Sequence, residues 1–233
     1  MKPPMPAMTV LLMMLSVAFM DAAEQEFKPL FPEEGAPVGW DVRAWSDVSK
    51  PGPENATWTV KDGVLHGDGA RGTWLISQAE YDDFELHFEF KLGPEGNSGC
   101  ALRAPPSGDP AFDGLELQMA DVRYNPEAKD SELTGGLYRA LAPTQQVYKP
   151  EQWNRYEISL RGSHVKVILN GTTILDTDLA QQTTVVKRHD DTDTLPLKDR
   201  PRKGRIGFQN LSRGGSPVLI RAARIRVLAG RGD

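Results

Sequence analysis

The sequence predicts an all-β domain, built as a β-sandwich of two antiparallel sheets. Three observations predict it: stretches in which apolar and polar residues alternate, turn dipeptides between those stretches, and the lack of a long amphipathic helix pattern. The chain has 233 residues, with 22 Gly and 18 Pro, and is long enough for one such domain with a full core. Many short strands with regular turn signals are typical of sandwiches.

The predicted strands follow one another along the chain. The clearest is Phe84–Leu92, where apolar and polar residues alternate over nine positions and predict one buried face. Asp62-Gly63 and Asn170-Gly171 are strong hairpin signals because these residue types tolerate positive φ. Other strand-like stretches are 58–60, 64–66, 100–103, 156–160, 165–169, 172–176, 205–209 and 220–228. The predicted core consists of Phe84, Leu86, Phe88, Phe90, Leu102, Leu115, Leu117, Val167 and Phe208.

Residues 114–121 alternate in the same way and hold the most informative polar pair. Leu115 and Leu117 are predicted to face the core, while Glu116 and Gln118 point the other way, roughly 6–7 Å apart along the strand. A solvated carboxylate beside an amide on a rigid strand can bind sugar hydroxyls and move protons. An ordinary solvent-facing strand is the alternative interpretation.

The N-terminus has the pattern of an export signal. Lys2 precedes an almost wholly apolar run at 7–20, and Ala22-Ala23 offers small residues for cleavage. The run is too short to span a bilayer comfortably, so no stable membrane insertion is expected. We therefore expect a signal peptide over residues 1–23 and export to the periplasm or the extracellular space, with an uncleaved anchor as the less favoured alternative.

The remainder divides into two parts. Residues 24–37 are rich in Pro, Glu and Gly and are interpreted as an extended lead-in, and residues 38–228 form the predicted sandwich domain. Two polar segments interrupt the strands, at 124–134 and 181–203. Because a loop as long as the second is usually functional or disordered, it is of interest for function.

Composition excludes several classes of partner. The net charge is −5 and there is no long basic block, so nucleic acid is not expected as a partner. Cys100 is the only cysteine, which excludes an intramolecular disulfide and is typical of a small core residue. The four histidines share no metal-ligand spacing and no phosphate-binding loop occurs, so no metal or cofactor is predicted. Composition leaves the oligomeric state open.

The order of several short motifs resembles a known family. The motifs are Gly39-Trp40-Asp41, 58–65, 81–86, Gly96-Asn97-Ser98-Gly99 followed by Arg103, 114–118, 134–138, Trp153-Asn154, Leu169-Asn170-Gly171 and 204–209. Together they resemble the 3-keto-disaccharide hydrolase domain, a secreted bacterial relative of the laminarinase-like jelly rolls. The resemblance implies a concanavalin-like sandwich with one concave sheet for the ligand. It also implies an enzyme that cleaves the glycosidic bond of an oligosaccharide or 3-keto-glycoside.

One departure from the laminarinase relatives disfavours ordinary glucan hydrolysis. Those relatives carry Glu-x-Asp-x-x-Glu on a strand, whereas this chain has Gln118 at the central position and the shorter Asp121 at the last. A retaining glycosidase needs two carboxyl groups about 5–5.5 Å apart, and this run does not clearly supply them.

A sugar ketone at C3 changes the chemistry that the protein must supply. The ketone acidifies the C2 proton, so elimination of the C1 substituent needs a base near C2, a donor for the enolate oxygen and an acid for the leaving oxygen. Glu116 is the predicted base and Arg103 the predicted enolate donor. A salt bridge of Arg103 with Glu116 or Glu89 is the alternative. Tyr138 and His66 are the predicted acids, although His66 also fits an ordinary strand end.

Substrate contacts are predicted for three amides and two indoles. Gln118, Asn97 and Gln209 can bind hydroxyls, and Trp74 and Trp153 can stack on sugar rings, with rim or core packing as the alternative for both indoles. The other tryptophans are interpreted as packing residues. The same residues also fit a non-catalytic carbohydrate-binding module, which is the alternative function, since a fold does not fix an activity.

Overall fold

The computed structural model of the protein describes residues 26–229. These residues form fourteen strands, one short α-helix and three 3₁₀ helices. The strands are β1 (Lys28–Pro29), β2 (Trp40–Ala44), β3 (Asp47–Pro51), β4 (Ala56–Lys61), β5 (Val64–Gly69), β6 (Thr73–Tyr81), β7 (Phe84–Leu92), β8 (Asn97–Ala104), β9 (Glu116–Ala120), β10 (Asn154–Arg161), β11 (His164–Leu169), β12 (Thr172–Asp178), β13 (Gly204–Asn210) and β14 (Val218–Val227). Helix α1 is Pro110–Asp113, and the 3₁₀ helices are Asp130–Glu132, Leu179–Gln181 and Leu197–Asp199.

The strands form two antiparallel sheets. The back sheet has the order β12-β11-β10-β7-β14-β5-β4, with β1 beside β14, and the front sheet has the order β3-β2-β6-β13-β8-β9. The predicted all-β sandwich is therefore confirmed. The predicted hairpin turns are also confirmed, since Asp62-Gly63 joins β4 to β5 and Asn170-Gly171 joins β11 to β12.

The core lies between the two sheets. Alternation places every second residue of a strand on its inner face, and β7 shows this along its whole length, with each apolar residue from Phe84 to Leu92 buried. All nine predicted core residues are buried and belong to one cluster. Cys100 is buried in the same cluster, as predicted.

The lead-in segment lies against the sandwich. Lys28 of β1 pairs with Ile225 of β14, and Gly35 forms a bridge with Val60. Phe31 packs against the Trp40 ring at 4.9 Å between centroids. The predicted signal peptide lies outside the described residues. Across 26–229, no helix has the length and apolar character needed to cross a membrane.

A β-bulge in β8 resets which side chains face the core. Arg205 of β13 pairs with Ala104, but Gly207 pairs with Ala101, so β8 has one residue more than its partner over this interval. Ala101 and Ala104 consequently share one apolar cluster on the outer face, although strict alternation would separate them. Arg103, which lies between them, is therefore not on the face that alternation predicts.

The free edge of β9 is covered by an irregular extended segment, residues 134–138. Leu137 bridges Leu117, the Tyr138 amide donates to the Glu116 carbonyl at 3.0 Å, and the Gln118 amide donates to the Gly136 carbonyl at 2.9 Å. This pairing places the Tyr138 side chain next to that of Glu116 on the outer face of the front sheet, because paired neighbours point the same way.

Candidate functional site

A cleft of about 500 Å³ lies on the outer face of the front sheet, over the ends of β8 and β9. Its floor includes Asn97, Gln118 and Ala120, where Asn97 pairs with Ala120 across the two strands. Its walls come from loops that are distant in sequence. The side chains that line it include those of Trp45, Arg71, Asp121, Tyr124, Glu132, Tyr138, Arg139 and His189.

Glu116 lies next to this cleft but is buried beside it. Glu116 pairs with Ala101 of β8, and its carboxyl group lies over Gly99, so a Cβ at position 99 would overlap the carboxyl. Only a glycine fits there, which explains the Gly99 of the family motif. The side chain is 3% exposed, so the expectation of a solvated carboxylate is wrong. The covering segment around Tyr138, which sequence alternation does not reveal, is the reason.

Burial determines the protonation state of Glu116. Desolvation, with the nearby Asp109 as the second cause, raises the pKa of Glu116 well above its ordinary value. Burial likewise raises the pKa of Asp109 to about 6. Glu116 Oε1 is buried and has no hydrogen-bond partner within residues 26–229. Glu116 therefore favours the neutral acid at pH 7 and is poorly suited to the role of the predicted base.

Tyr138 is brought to the cleft wall by its pairing with β9. Burial, and then the proximity of Glu116, raise the pKa of the Tyr138 phenol. The Arg139 guanidinium lies 5.5 Å from the centre of the Tyr138 ring. The phenol thus stays protonated at neutral pH and can donate a hydrogen bond or a proton into the cleft.

His189 reaches the cleft from the long loop at 181–203. The loop is fixed at this point because Arg188 forms an ion pair with Asp113 of α1, and Arg139 Nη1 donates to the Lys187 carbonyl at 3.1 Å. An ion pair between Lys187 and Asp193, 2.6 Å apart, closes the base of the turn. The loop that composition marked for function is therefore ordered against the cleft.

The His189 imidazole is surrounded by aromatic rings. Its ring centre lies 5.3 Å from that of Phe112, 6.2 Å from that of Trp45 and 6.2 Å from that of Tyr138. Burial, and then the Arg139 charge, lower the pKa of His189 below its ordinary value. The neutral imidazole, which can accept a proton, is therefore the favoured form at pH 7.

The two carboxylates that line the cleft are each held by an arginine. Arg123 Nε donates to Asp121 Oδ1 at 2.7 Å and its Nη2 to Oδ2 at 2.9 Å, and Arg139 Nε donates to Glu132 Oε1 at 2.8 Å. Burial raises the pKa of Asp121, but the hydrogen bonds from Arg123 outweigh it and the net pKa is lowered. Asp121 is therefore better fitted to binding than to abstracting a proton.

The two floor amides are available to a ligand to different extents. Gln118 Oε1 accepts from the Met119 amide at 2.9 Å, which fixes the side chain on the floor. Asn97 Oδ1 is buried and lacks a hydrogen-bond partner in the described part of the chain. A buried acceptor without a partner is costly, so a hydroxyl donor in the cleft would relieve this cost. The structure thus brings Asn97, Gln118 and Tyr138 together, and their roles stay predictions.

Arg103 is not at the cleft, and its predicted role as enolate donor is wrong. The β-bulge turns its side chain toward the turns at one end of the sandwich. There its Nη2 donates to the Asp82 carbonyl at 2.7 Å, its Nη1 donates to the Gly162 carbonyl at 2.9 Å, and Asp83 lies 3.4 Å away. The salt-bridge partner is therefore Asp83 rather than Glu116 or Glu89. The guanidinium holds turns of the two sheets together.

His66 lies in the back sheet and Trp153 immediately precedes β10 of the same sheet, so their predicted roles at the cleft are also wrong. His66 follows Leu65, which is in the core, and therefore points away from the core on the side opposite the cleft. The Arg221 guanidinium lies 4.0 Å from the centre of the Trp153 ring. Arg221 also forms an ion pair with Glu89 at 2.7 Å.

Trp74 and Gln209 are on the correct sheet, but both are buried. Trp74 is 0% exposed, and its Nε1 donates to the Trp45 carbonyl at 3.1 Å. Gln209 pairs with Trp74 across β13 and β6 and is also buried. Stacking of a sugar on Trp74 is therefore excluded by Trp45, which covers it. Trp45 is the indole that lines the cleft, although its sequence context predicts packing.

Sequence reasoning missed Trp45, Arg71, Arg139 and His189. Each comes from a loop or strand end, where no periodic pattern gives the direction of a side chain. The available signal was the length and composition of the loop at 181–203, which contains His189. Within residues 26–229, no group of three His, Cys, Asp or Glu side chains is arranged to hold a metal ion.

Comparison with known proteins agrees with this architecture. A family model described as the 3-keto-alpha-glucoside-1,2-lyase-like domain matches residues 26–226. A curated 3-keto-disaccharide hydrolase from Bacteroides thetaiotaomicron is 25% identical in an alignment of length 208, and the match covers 73% of this chain and 70% of that protein. These matches confirm the family resemblance seen in the ordered motifs.

Solved structures show the same fold. The crystal structure of a candidate glycosyl hydrolase from Parabacteroides distasonis has a TM-score of 0.70 and 30% identity, and the match covers 87% of this chain and 100% of that chain. LamAcat from Zobellia galactanivorans has a TM-score of 0.51 at 12% identity, with coverage of 88% and 98%, and is similar in fold alone. The predicted jelly-roll sandwich is thereby confirmed.

Proposed function

The chain belongs to the family of 3-keto-alpha-glucoside-1,2-lyase-like domains, which is carbohydrate-active and similar to glycosyl hydrolases, and from this premise we propose that it cleaves 3-keto-glycosides in the front-sheet cleft. The single observation that carries the proposal is the pairing of a neutral His189 with a protonated Tyr138 on the walls of one cleft. These are a proton acceptor and a proton donor, which elimination next to a ketone requires.

In the proposed reaction, His189 accepts the C2 proton of the keto-sugar. The electron pair left at C2 is delocalised onto the C3 oxygen and then expels the C1 oxygen substituent. Tyr138 donates a hydrogen bond to one of these oxygens, because its phenol stays protonated. The departing C1 oxygen takes up the proton that His189 removed from C2, so the products are the released alcohol or sugar and an unsaturated keto-sugar with a double bond between C1 and C2.

Addition of water completes net hydrolysis. A water molecule delivers hydroxyl to C1 and a proton to C2, which restores the saturated keto-sugar. Elimination alone is the reaction of a lyase, and elimination followed by hydration gives the products of a hydrolase. The proposal thus accounts for both names found among the relatives.

The remaining cleft residues have binding and positioning roles in this scheme. Asn97 Oδ1 accepts a hydrogen bond from a sugar hydroxyl, and the Trp45 indole offers an apolar surface to one face of the sugar. Glu116 is moved from base to positioning residue: as a neutral acid it packs beside the Tyr138 phenol, whose own burial keeps it protonated.

The test is to incubate the protein with 3-keto-disaccharides and with the corresponding unoxidised disaccharides, and to measure released sugar. We expect turnover of the keto-sugars alone. Deuterium at C2 should slow the reaction or exchange with solvent, whereas direct attack of water at C1 would show neither. Binding of the keto-sugars without turnover would instead support a non-catalytic carbohydrate-binding module.

Export is a separate part of the proposal. It is supported by Lys2 and the apolar run at 7–20, which have the pattern of a signal peptide. Mass spectrometry of the protein from its native source should find an N-terminus near residue 24. An intact Met1 would contradict export by cleavage.

A further inference from the structure

We propose that Asp113 of α1 is a positioning residue for the reaction, and that it holds His189 at the cleft through its ion pair with Arg188. This inference rests on the proposed function, in which His189 accepts the proton of the substrate. Asp113 is not among the residues that line the cleft, so its effect on the reaction must pass through the residues that it holds.

His189 belongs to a turn, residues 187–193, that is shaped by its own contacts. An ion pair closes the base of this turn, and the Arg188 amide donates to the Thr192 carbonyl at 2.8 Å inside it. These contacts give the turn its form. They do not determine where the turn lies on the rest of the molecule.

Two polar links join this turn to the remainder of residues 26–229. Arg188 Nη1 donates to Asp113 Oδ2 at 3.1 Å and its Nη2 donates to Oδ1, so this ion pair is bidentate. The other link is the single hydrogen bond from Arg139 to the Lys187 carbonyl. A bidentate pair fixes direction as well as distance. Because Arg188 directly precedes His189, the pair also sets where the imidazole lies.

The Asp113 carboxylate is itself a fixed anchor. Its Oδ2 also accepts from the Asp109 amide at 3.0 Å. Arg200, which is 4% exposed, donates from Nη1 to the carbonyls of Ala111 and Gly114 at 3.2 and 3.1 Å and thereby holds α1 in place. The helix is therefore the rigid partner of the ion pair, and the turn is the partner that is positioned.

The neighbouring residue, Phe112, gives both proton-transfer side chains a common support. Its buried ring lies 5.3 Å from that of His189 and 5.8 Å from that of Tyr138, measured between ring centres. The Arg188 guanidinium lies 5.6 Å from the centre of the same ring. The ion pair thus keeps the proposed acceptor against the ring that the proposed donor also contacts. Without the pair, the imidazole can move away from this ring toward solvent.

Such a movement has a measurable consequence for the imidazole. Burial is the largest cause that lowers the pKa of His189, and the Arg139 charge lowers it further, while Glu132 and Asp190 raise it. An imidazole that leaves the aromatic rings loses part of this burial. Its pKa should then rise toward the ordinary value of about 6.5.

Two variants that break the same ion pair separate positioning from a direct effect of charge. Asp113→Asn removes a negative charge, which by charge alone would lower the pKa of His189, and Arg188→Gln removes a positive charge, which would raise it. Release of the turn raises the pKa in both variants. Asparagine also keeps an acceptor for the Asp109 amide, so α1 retains that hydrogen bond.

The first measurement is an NMR titration of the His189 imidazole in the full chain, with the resonance assigned by its loss in His189→Ala. We expect the pKa to rise in both Asp113→Asn and Arg188→Gln, and to rise less in Arg188→Lys, which keeps the charge. Arg155→Gln is the matched control, since it breaks a partly exposed ion pair with Glu157 on the back sheet, and it should leave the titration unchanged. Shifts of opposite sign in the first two variants, or no shift, would overturn the inference.

The second measurement is steady-state turnover of a 3-keto-disaccharide. Asp113→Asn and Arg188→Gln should each lower kcat about tenfold with little change in KM, because the acceptor is misplaced while the substrate contacts remain. An unchanged kcat in an active protein would contradict the positioning role. If the wild type shows no turnover, the proposed function fails, and the titration, which needs no substrate, still decides whether Asp113 positions His189.

Discussion

Arg103 and Glu116 are buried polar residues of the front sheet, on neighbouring strands, yet they differ in how many of their polar atoms have hydrogen-bond partners. Arg103 donates to carbonyls of two turns and has a carboxylate 3.4 Å away. Glu116 has a buried oxygen with no partner within residues 26–229 and lies beside a cleft. A buried polar group with all its partners supplied by the protein holds the fold together. One that lacks a partner beside a cavity indicates where a ligand or a proton is handled.

The largest expected effect is on turnover, and it compares a histidine in the cleft with a histidine on the back sheet. His189→Ala should lower turnover of a 3-keto-disaccharide by about 10²–10⁴-fold, because it removes the proton acceptor. His66→Ala is the control and should leave turnover unchanged, since His66 faces away from the core on the opposite side. Steady-state kinetics of both variants measure this. Full activity of His189→Ala would return the role of base to Asp121 or Glu116.

The next effect concerns stability at Arg103. Arg103→Met should lower the free energy of unfolding by about 2–4 kcal/mol, because it removes the hydrogen bonds that the buried guanidinium donates to the carbonyls of Asp82 and Gly162. Activity per folded molecule should be kept. Arg161→Met removes a half-exposed arginine that pairs with Glu85 and should cost under about 1 kcal/mol. Denaturant unfolding compares the two, and equal costs would contradict the structural role of Arg103.

Glu116→Gln should change the free energy of unfolding by less than Arg103→Met, and it should raise that free energy. The folded-state pKa of Glu116 is raised, so its contribution to stability is full below the unfolded pKa of about 4.3 and is lost as pH rises through the folded pKa. Glutamine does not ionise. At pH 7 the variant should therefore be more stable than wild type by about 1 kcal/mol or more, and at pH 4 the two should be alike.

Thermal unfolding at both pH values measures this difference. Turnover of Glu116→Gln should fall less than about tenfold, since the acceptor is elsewhere. A fall comparable to that of His189→Ala would restore Glu116 as the base.

The smallest expected effect is in the pH dependence of kcat/KM, which tests His189 as the proton acceptor. An imidazole with an ordinary pKa of about 6.5 would be half protonated at pH 6.5, and activity would be halved there. Because the pKa of His189 is lowered, kcat/KM at pH 6.5 should stay above half of its maximum and decline only at more acidic pH. A midpoint above pH 6.5 would contradict a neutral, desolvated His189 as the acceptor.

Local patterns along the chain are enough to predict the fold class, the core and the hairpin turns. Alternation in β7 identifies its buried face, and Asp62-Gly63 and Asn170-Gly171 identify two turns, because these signals are local and act through the backbone. The ordered motifs also identified the family. Gln118, Asn97 and Tyr138 were placed in one site on the same basis, since each belongs to such a motif.

The surroundings of each side chain, in contrast, depend on how remote segments pack together. Alternation gives the face of a residue only while the register holds, and the bulge in β8 moves Arg103 off the predicted face. Alternation also does not reveal which distant segment covers that face. It therefore cannot predict that the Tyr138 segment buries Glu116, or that the loop at 181–203 brings His189 to the cleft. Protonation depends on burial and on neighbouring charges, which arise only when remote parts of the chain pack together.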